Sequence, residues 1–562
     1  MSTTRAKEVR GDPAARTLGE LQRSLETHLL SKLEYLNAIG IALSQERDID
    51  KLLETILVAA KNLTRADGGT LYRLVDDKLQ FEIVRNDSLS IAMGGTSGNR
   101  VPFYPIPLHD AQGNPNNTMI AAYAALTCET VNIADAYTQE GFDFSGTRNF
   151  DKRTGYRSTS FLTVPMKNHE DEIIGVLQLL NAIDPATKQV VTFGEEDQHL
   201  AESLASQAAI ALTNRLLIQQ LEMLFESLIE LINTAIDDKS AYTGGHCKRV
   251  PTLTMMLAEA AHATARGRLA EFRMTDKDRY ELKIAGLLHD CGKITTPVHV
   301  VDKATKLQTI YDRIGLIETR FEVLKREAEV EMLRAKLSAM QAGDEASALR
   351  AMEAFSARVR QYDDDCEFLR RTNFGSERMK PEDQARVSQI ARYTWTSPAG
   401  ALDRFLSPDE EENLNIPYGT LTANEREIIN HHIVATIKML EALPWPRHLA
   451  NVPEYAGGHH ERMDGKGYPK GLCRDQMSIQ ARVMGIADIF EALTAKDRPY
   501  KPGKTLSESL AILGRFRLNG HIDPDLFDIF VREKVYLRYA REFLDPEQID
   551  TVDESGIPGY TA

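Results

Sequence analysis

The chain has 562 residues, of which 42% are hydrophobic and 27% charged, and its formal net charge is −15. This length exceeds one hydrophobic core, and the composition is typical of globular proteins, so we expect several folded domains rather than a disordered or fibrous chain. The acidic balance opposes general binding to a nucleic-acid polymer or to an anionic membrane, since both attract clustered cations.

Signals for export or membrane insertion are not found in the sequence. No apolar run approaches the roughly 18 residues that span a bilayer, and residues 1–13 are polar, without the apolar core of a secretory signal. We therefore expect a cytoplasmic protein. The five cysteines are scattered and form no C-x-x-C pair, which favours reduced thiols.

Residues 1–47 combine a polar tail with an amphipathic helix. Leucines recur at spacings of three or four from Leu18 to Leu36, which predicts a helix over residues 17–43. We expect this helix to pack on a neighbouring element or on a second subunit.

Residues 48–209 alternate short apolar runs with turns. The runs that have the length and composition of strands are 69–75, 79–84, 130–133, 160–166 and 173–180. Strands of this length, with helices at both ends, predict an α+β domain with an antiparallel sheet.

Part of this domain resembles the GAF domains of cyclic-nucleotide-regulated proteins. The resemblance rests on residues 131–137, 151–156 and 162–165 and on Asn181, Phe193 and Asp197. Ala182 and Gln198 stand where the GAF signature has Lys and Glu, so a Lys-Asp lock cannot form in the usual way. The resemblance implies a sensor domain. It leaves open a cyclic-nucleotide ligand, another small-molecule ligand, or a module for dimerisation without a ligand.

Residues 210–235 are predicted to form a long helix that connects the two halves of the chain. Its leucines alternate in steps of four and three, at Leu217, Leu221, Leu224, Leu228 and Leu231. This a/d seam predicts a parallel signalling helix in a homodimer. The alternative is a helix buried within one chain, because so short a pattern does not fix the partner.

Five of the ten histidines after residue 240 lie in settings typical of metal ligands. His246 follows a glycine turn and starts an apolar helix. His289 and Asp290 end an apolar helix, where an imidazole and a carboxylate are expensive to bury unless they are paired or bind a metal. Only His432 of the pair His431 and His432 shares the apolar face of its helix, so we expect His431 to be exposed. Surface or core roles are expected for His262, His299, His431, His448 and His521.

His459 and His460 lie in a loop with four glycines and one proline. Glycine permits backbone conformations that other residues avoid, and proline fixes its own, so the loop has a defined shape. A shaped loop rich in ionisable groups indicates a functional site. Asp488 lies among apolar residues of a later helix, where its carboxylate is expected to need a cation.

These motifs, in this order, resemble the HD-GYP branch of the HD phosphohydrolase superfamily. The signature residues are His289-Asp290, His459-His460-Glu461 and Gly467-Tyr468-Pro469. The resemblance implies an all-helical domain over residues 236–540, followed by a tail over 541–562. It also implies hydrolysis of cyclic di-GMP to the linear dinucleotide pGpG, with GMP as a further product.

By resemblance, two divalent metal ions share the carboxylate of Asp290. His246, His289 and Asp488 complete the first ion's ligands, and the second ion is held by His432, His459 and His460. Mixed imidazole and carboxylate ligands favour iron or manganese. Tyr242 stands where some members have a glutamate for a third metal, so we expect two.

The resemblance also assigns chemistry to residues near the ions. Asp290 and Lys293 are the expected catalytic residues. The expected substrate contacts are Lys293, Arg462, Arg498 and Lys501. The Gly467-Tyr468-Pro469 loop shapes the pocket and is a candidate surface for a protein partner.

This chain departs from the family pattern at two places. Residues 302–400 form a charged helical insertion, predicted as an α-hairpin or coiled-coil excursion. It is either a lid or partner surface or a passive insertion, because long insertions cost little chain entropy. Thr436 stands where a glycine is common.

Two further functions remain open from sequence. One is a non-catalytic scaffold that binds the nucleotide and acts by contact. The other is a phosphodiesterase for a different cyclic dinucleotide, because a metal site contacts the phosphate and leaves the base preference undefined.

Overall fold

The computed structural model describes residues 30, 34–239, 245–375, 378–496 and 503–561. The chain divides into two compact units, residues 1–225 and 226–562. None of the described helices combines the length and the apolar content needed to cross a lipid bilayer.

The first unit contains an antiparallel sheet with the strand order β3-β2-β1-β7-β6-β5, in which β4 also pairs with β2 and β8 with β7. The strands are β1 Ala66–Val75, β2 Lys78–Asn86, β3 Ile91–Met93, β4 Ile106–Pro107, β5 Val131–Ile133, β6 Phe161–Lys167, β7 Ile173–Ile183 and β8 Val190–Val191. The predicted α+β domain with an antiparallel sheet is confirmed. The short strands β3, β4 and β8 lie outside the predicted runs.

Helices cover the sheet of the first unit. A helical segment over 34–45, here α1, packs with α2 and the first turns of α5 on a core that includes Leu36, Leu57 and Leu204. The helix α3 lines two smaller cores, one with Leu79 and one with Phe144. The bounds are α2 Ile49–Thr64, α3 Ile120–Thr127, α4 Ser145–Thr154 and α5 Glu195–Lys239. Leu18, Leu21, Leu25, Leu29 and Leu33 of the predicted first helix lie outside the described residues.

The 45-residue helix α5 contains the predicted leucine seam. Leu217, Leu221, Leu224, Leu228 and Leu231 are between 45% and 65% exposed. These leucines are therefore exposed within one chain, in contrast to the alternative of a helix that is buried there.

The second unit is helical, as predicted. Its helices are α6 His246–Ala263, α7 Asp276–Leu288, α8 Val298–Val301, α9 Ile314–Gln341, α10 Glu345–Asn373, α11 Pro381–Ile390, α12 Pro408–Leu414, α13 Ala423–Glu441, α14 Val452–Gly457, α15 Ile479–Thr494, α16 Leu506–Leu518, α17 Pro524–Arg532 and α18 Val535–Phe543. One addition to the predicted all-helical domain is a two-stranded antiparallel sheet, β9 Thr394–Thr396 with β10 Leu402–Arg404.

The predicted helical insertion consists mainly of α9 and α10, two helices of 28 and 29 residues joined by a short turn. Phe321, Leu369 and Phe405 lie in a separate apolar core of this region. Lys303 Nζ, at the start of the insertion, contacts a carboxylate oxygen of Glu425 at 2.7 Å. Glu425 lies in the first turn of α13, so the insertion is fastened to the helix that carries His432.

Candidate metal centre

Five elements bring the predicted ligands together in the second unit. His246 is the first residue of α6, and His289 directly follows α7. His432 lies within α13, His459 and His460 follow α14, and Asp488 lies within α15. His432 is buried and His431 is exposed, as the helix period predicts.

Gly292 allows the turn after Asp290 to approach α13. A Cβ atom on Gly292 would lie 2.0 Å from the backbone oxygen of His432 and 2.5 Å from the backbone nitrogen of Thr436. Only a residue without a side chain fits here. The Gly292 N–H donates to Thr436 Oγ1 at 2.9 Å, so the threonine that replaces the usual glycine fixes this turn.

The carboxylate of Asp290 lies between two groups of histidines. Its Oδ2 is 3.0 Å from His246 Nε2 and 3.2 Å from His289 Nε2. Its Oδ1 is 3.2 Å from His432 Nε2. The donor atoms form two sets, one of His246, His289 and Asp290 and one of Asp290, His432, His459 and His460, and within each set they lie within 4.8 Å of one another.

Asp488 lies beside these sets. Its Oδ1 is 3.4 Å from His246 Nε2, on the side predicted for the first ion. The structure therefore places all seven predicted ligands in one region, while their role as ligands stays a prediction.

Backbone carbonyls orient three of the imidazoles. The Nδ1 atoms of His289, His432 and His459 contact the backbone oxygens of Gly286 at 2.7 Å, Ile429 at 2.5 Å and Ala456 at 2.6 Å. Because a carbonyl only accepts, each Nδ1 carries the proton and each Nε2 offers a lone pair. Such bonds are how proteins orient imidazole ligands.

Glu491 has the same function for His246. Its Oε2 is 2.6 Å from His246 Nδ1, and its Oε1 is 2.7 Å from Arg249. Sequence reasoning missed this residue. Glu491 lies three positions after Asp488 on α15, so the two side chains share one face of the helix. This spacing could have indicated Glu491 from the sequence.

Three of the atoms that could ligate a metal are buried and have no hydrogen-bond partner among the described residues. They are His289 Nε2, His459 Nε2 and Asp290 Oδ1. Leaving a buried polar atom unpaired is costly, and such atoms are rare in folded proteins. Lone pairs that converge in this way fit one or two divalent cations.

The electrostatics keep two of the imidazoles neutral and the carboxylate charged. Burial and the neighbouring His289 lower the pKa of His459 to about 4, and burial also holds the pKa of His460 well below its usual value. Burial alone would raise the pKa of Asp290, but Lys293 and His289 outweigh it and hold that pKa well below its usual value. A neutral imidazole and an ionised carboxylate are the forms that bind metals.

His246 and Lys293 favour the protonated form in this arrangement. Burial would lower the pKa of His246, but the carboxylate of Glu491 outweighs it and raises the pKa to about 9. Burial likewise opposes a charged Lys293, and Asp290, 2.5 Å away, outweighs it and raises the lysine pKa. Binding of a cation at His246 therefore requires the release of a proton.

Glu461, the acid of the His459-His460-Glu461 motif, organises the adjoining loop. Its buried carboxylate accepts hydrogen bonds from the backbone nitrogens of residues 470, 471 and 472. A Cβ atom on Gly467 would lie 2.5 Å from the Cα of Glu461, so glycine is required where the loop folds back. Tyr468 stacks on His460 with ring centroids 4.9 Å apart.

A cavity of about 470 Å³ opens beside the centre. His460, Asp488 and Tyr468 line it, together with the predicted substrate contact Arg462. His521, for which we expected a surface or core role, also lies in its wall. Of the other predicted substrate contacts, Arg498 and Lys501 lie outside the described residues. Tyr242, which stands at the position of a third-metal ligand in some family members, also lies outside them.

Comparisons with known proteins agree with these features. Residues 48–212 match the GAF domain family, and residues 243–361 and 400–526 match HD domain families. A cyclic di-GMP phosphodiesterase of Pseudomonas aeruginosa is 39% identical over 119 residues, which are 21% of this chain and 27% of that protein. A 3'3'-cGAMP-specific phosphodiesterase of Vibrio cholerae is 43% identical over 81 residues, which are 14% of this chain and 19% of that protein.

A third relative, a cyclic di-GMP phosphodiesterase of Thermotoga maritima, is 34% identical over 115 residues, 20% of this chain and 30% of that protein. The chain thus matches less than a third of the length of each of these relatives. The matches together with the motifs confirm the resemblance predicted from sequence. The chain thus carries a GAF domain followed by two regions that match HD domains, as the resemblance to HD-GYP proteins implies.

Proposed function

We propose that the chain is a metal-dependent phosphodiesterase that hydrolyses cyclic di-GMP to linear pGpG, through the proposed catalytic domain at 236–540. The observation that carries this proposal is the position of Asp290, whose two oxygens face separate groups of imidazoles. Two of the relatives that match part of this chain bear the name cyclic di-GMP phosphodiesterase.

His246, His289 and Asp488 would hold one cation and His432, His459 and His460 the other, with Asp290 between them. When bound, a pair of divalent cations supplies a hydroxide nucleophile near neutral pH and stabilises charge on the phosphate and the leaving oxygen. The imidazole and carboxylate donors suit iron or manganese.

Lys293 contributes a fixed positive charge to the same place. Its Nζ lies 2.5 Å from Asp290, and its side chain is only 22% exposed. We propose that this ammonium contacts a phosphate oxygen of the substrate. Asp290 keeps it protonated, so its charge is present throughout the neutral pH range.

A second candidate is hydrolysis of a mixed guanine and adenine cyclic dinucleotide. It is favoured by the 43% identity with the 3'3'-cGAMP-specific relative. A non-catalytic scaffold is less well supported, because it has no need for six buried or half-buried polar groups around the carboxylate of Asp290.

The test is turnover by protein purified at low oxygen and loaded with iron or manganese. Cyclic di-GMP and 3'3'-cGAMP are supplied separately, and the products are identified by mass. We expect wild type to release linear dinucleotide from cyclic di-GMP, while Asp290→Ala binds less metal and gives no product. Asp545→Ala, at a half-exposed ion pair with Lys496, is the control and should match wild type.

Each outcome of this test discriminates between the candidates. Cleavage of 3'3'-cGAMP in preference to cyclic di-GMP would favour the second candidate. Metal-loaded protein that binds either nucleotide and leaves it intact would favour the scaffold and contradict the proposal.

For the GAF domain we propose a largely apolar small-molecule ligand rather than a cyclic nucleotide. A cavity of about 400 Å³ lies within this domain, and the rings of Phe81, Phe103 and Phe144 are in its wall. Its Arg85 is already satisfied, since it contacts Glu54 at 2.6 Å and the backbone oxygen of Met93 at 2.7 Å. Calorimetry with cGMP, cAMP and uncharged aromatic compounds tests this choice, and tight binding of either nucleotide would contradict it.

We also propose that α5 pairs with α5 of a second copy. Its exposed leucine seam would be buried in a parallel coiled coil, which removes an apolar surface from water. Leu221→Glu with Leu228→Glu should convert a dimer to a monomer in light scattering. An unchanged molecular mass would contradict the proposal.

A further inference from the structure

The wall of the cavity beside the metal centre contains cationic side chains as well as predicted metal ligands. Lys504, in the segment that precedes α16, lines this cavity. It belongs to none of the motifs that the sequence indicated. Lys504 is partly buried, which is uncommon for a lysine to which the described part of the chain offers no ion-pair partner.

The backbone of Lys504 has a fixed position relative to α15. Its N–H donates to the backbone oxygen of Leu493 at 3.0 Å, and its own carbonyl accepts from Gln548 Nε2 at 3.1 Å. Leu493 is five residues after Asp488, which corresponds to about 7.5 Å along a helix. The lysine therefore starts more than one helical turn beyond the predicted ligand Asp488.

Gly503 makes this position possible. A Cβ atom there would lie 2.4 Å from both Gln548 Nε2 and the backbone oxygen of Thr494. A glycine at this close approach holds Lys504 against the end of α15.

Among the described residues of this wall, Lys504 is the cation with no carboxylate partner. Arg462 is bound to Asp464 by two hydrogen bonds of 3.0 and 2.8 Å. Lys466 is 78% exposed on its side chain and 3.9 Å from the same Asp464. Among the residues that the structure describes, no carboxylate lies within 4.0 Å of Lys504 Nζ.

We propose that Lys504 binds the second phosphodiester of the substrate, the one that is not cleaved. This inference rests on the proposed function. A cyclic dinucleotide has two phosphodiesters on opposite sides of its ring, so with one at the metal ligands the other needs a cation elsewhere in the cavity. Lys504 then selects substrates with two phosphates over compounds with one.

The test compares Lys504→Gln with wild type on two substrates. One is cyclic di-GMP, and the other is bis(4-nitrophenyl) phosphate, which has a single phosphodiester. We expect KM for cyclic di-GMP to rise about 10- to 100-fold, the loss of one charged hydrogen bond, with kcat unchanged. The rate with the single phosphodiester should not change, and Lys504→Arg should restore most of the affinity.

Lys496→Gln is the matched control. Lys496 lies eight residues earlier, pairs with Asp545 at 2.7 Å, and is outside the cavity wall. Its replacement should leave KM for both substrates unchanged.

Two results would overturn the role of Lys504. One is an equal loss on both substrates, which would indicate damage to the metal centre, and the other is an unchanged KM for cyclic di-GMP. If wild type cleaves the single diester and no cyclic dinucleotide, the proposed function fails. In that case the role of Lys504 is tested by equilibrium binding of intact cyclic di-GMP. Equal affinity of wild type and Lys504→Gln would contradict that role.

Discussion

Two cavities of the described chain are similar in size and differ in chemistry. The cavity beside the metal centre measures about 470 Å³ and the GAF cavity about 400 Å³. The first adjoins buried donor atoms that have no hydrogen-bond partner, such as His289 Nε2 and His459 Nε2. The second has aromatic walls, and Arg85, one of the two arginines in its lining, is already paired with Glu54.

This difference indicates what each half of the protein gains from its ligand. The polar atoms of the centre are costly to bury unpaired, so on the proposed function we expect bound cations to stabilise this half. The GAF domain buries an apolar core and satisfies its polar groups by itself. An apolar ligand therefore adds contacts to a complete fold.

The largest effect on this comparison is expected from Gly292→Ala. A Cβ atom at this position overlaps the backbone oxygen of His432 at 2.0 Å, and a backbone atom cannot turn aside as a side chain can. We expect a loss of about 3 kcal/mol in the second unit and no measurable hydrolysis. Thermal unfolding and product release measure the two effects.

Gly315→Ala is the matched control for this substitution. Gly315 lies in α9, and no atom lies within 4 Å of the position of its Cβ. Alanine should stabilise the helix by about 0.5 kcal/mol and leave hydrolysis unchanged. Normal activity of Gly292→Ala would show that the close approach of the turn to α13 is not required.

Metal removal should affect the two halves unequally. With each cation at about 100 times its dissociation constant, chelation should cost the second unit about 2.7 kcal/mol of stability for each ion removed. Hydrogen exchange should then rise in peptides that contain His289 and His459, and peptides of β1 and β6 should stay protected. Equal deprotection of both halves would remove the contrast between the two sites.

Glu491→Gln should weaken the centre without breaking the fold. Glutamine keeps the shape of the side chain but removes the charge that holds His246 and Arg249. Loss of such an orienting partner should lower metal affinity about 10- to 100-fold. Metal titration measures this change, and Glu533→Gln, at an exposed pair with Arg532, is the control.

Local periodicity was enough to predict part of the site. It chose His432 over His431 because one helix face is apolar and the other is not. The motif resemblance named the rest of the ligands. Both arguments use only residues that are near one another in sequence.

The parts that sequence reasoning missed depend on contacts between distant residues. Lys504 and His521 come to the cavity wall through packing around α16, which no local pattern describes. In the GAF domain, Ala182 rules out the usual Lys-Asp lock, yet Asp197 still has a cationic partner. Arg65, in a left-handed conformation after α2, contacts Asp197 at 3.1 Å. A backbone conformation of this kind is set by tertiary packing rather than by the residue type.

The smallest expected effect is on Lys306. It tests whether a buried lysine that has no carboxylate partner always marks a ligand-binding site. Lys306 is 2% exposed, and its Nζ contacts the backbone oxygen of Leu414 at 3.0 Å and the sulfur of Met379 at 3.5 Å. Burial lowers its pKa to about 8. It lies in the core of the insertion, away from both cavities, so we expect Lys306→Met to raise stability by about 1 kcal/mol at pH 7.

The sign with pH follows from proton binding. Between pH 8 and the unfolded value of 10.5, the unfolded chain keeps the proton of Lys306 and the folded chain releases it. Wild type therefore gains stability as the pH rises through this window, and the advantage of Lys306→Met should shrink there. The nearby Lys303→Met is the contrast, because Lys303 pairs with Glu425 and its loss should cost about 2 kcal/mol. Melting temperatures at pH 7 and 10 measure both, and a loss of stability in Lys306→Met at pH 7 would mean that the buried ammonium is stabilised by its surroundings after all.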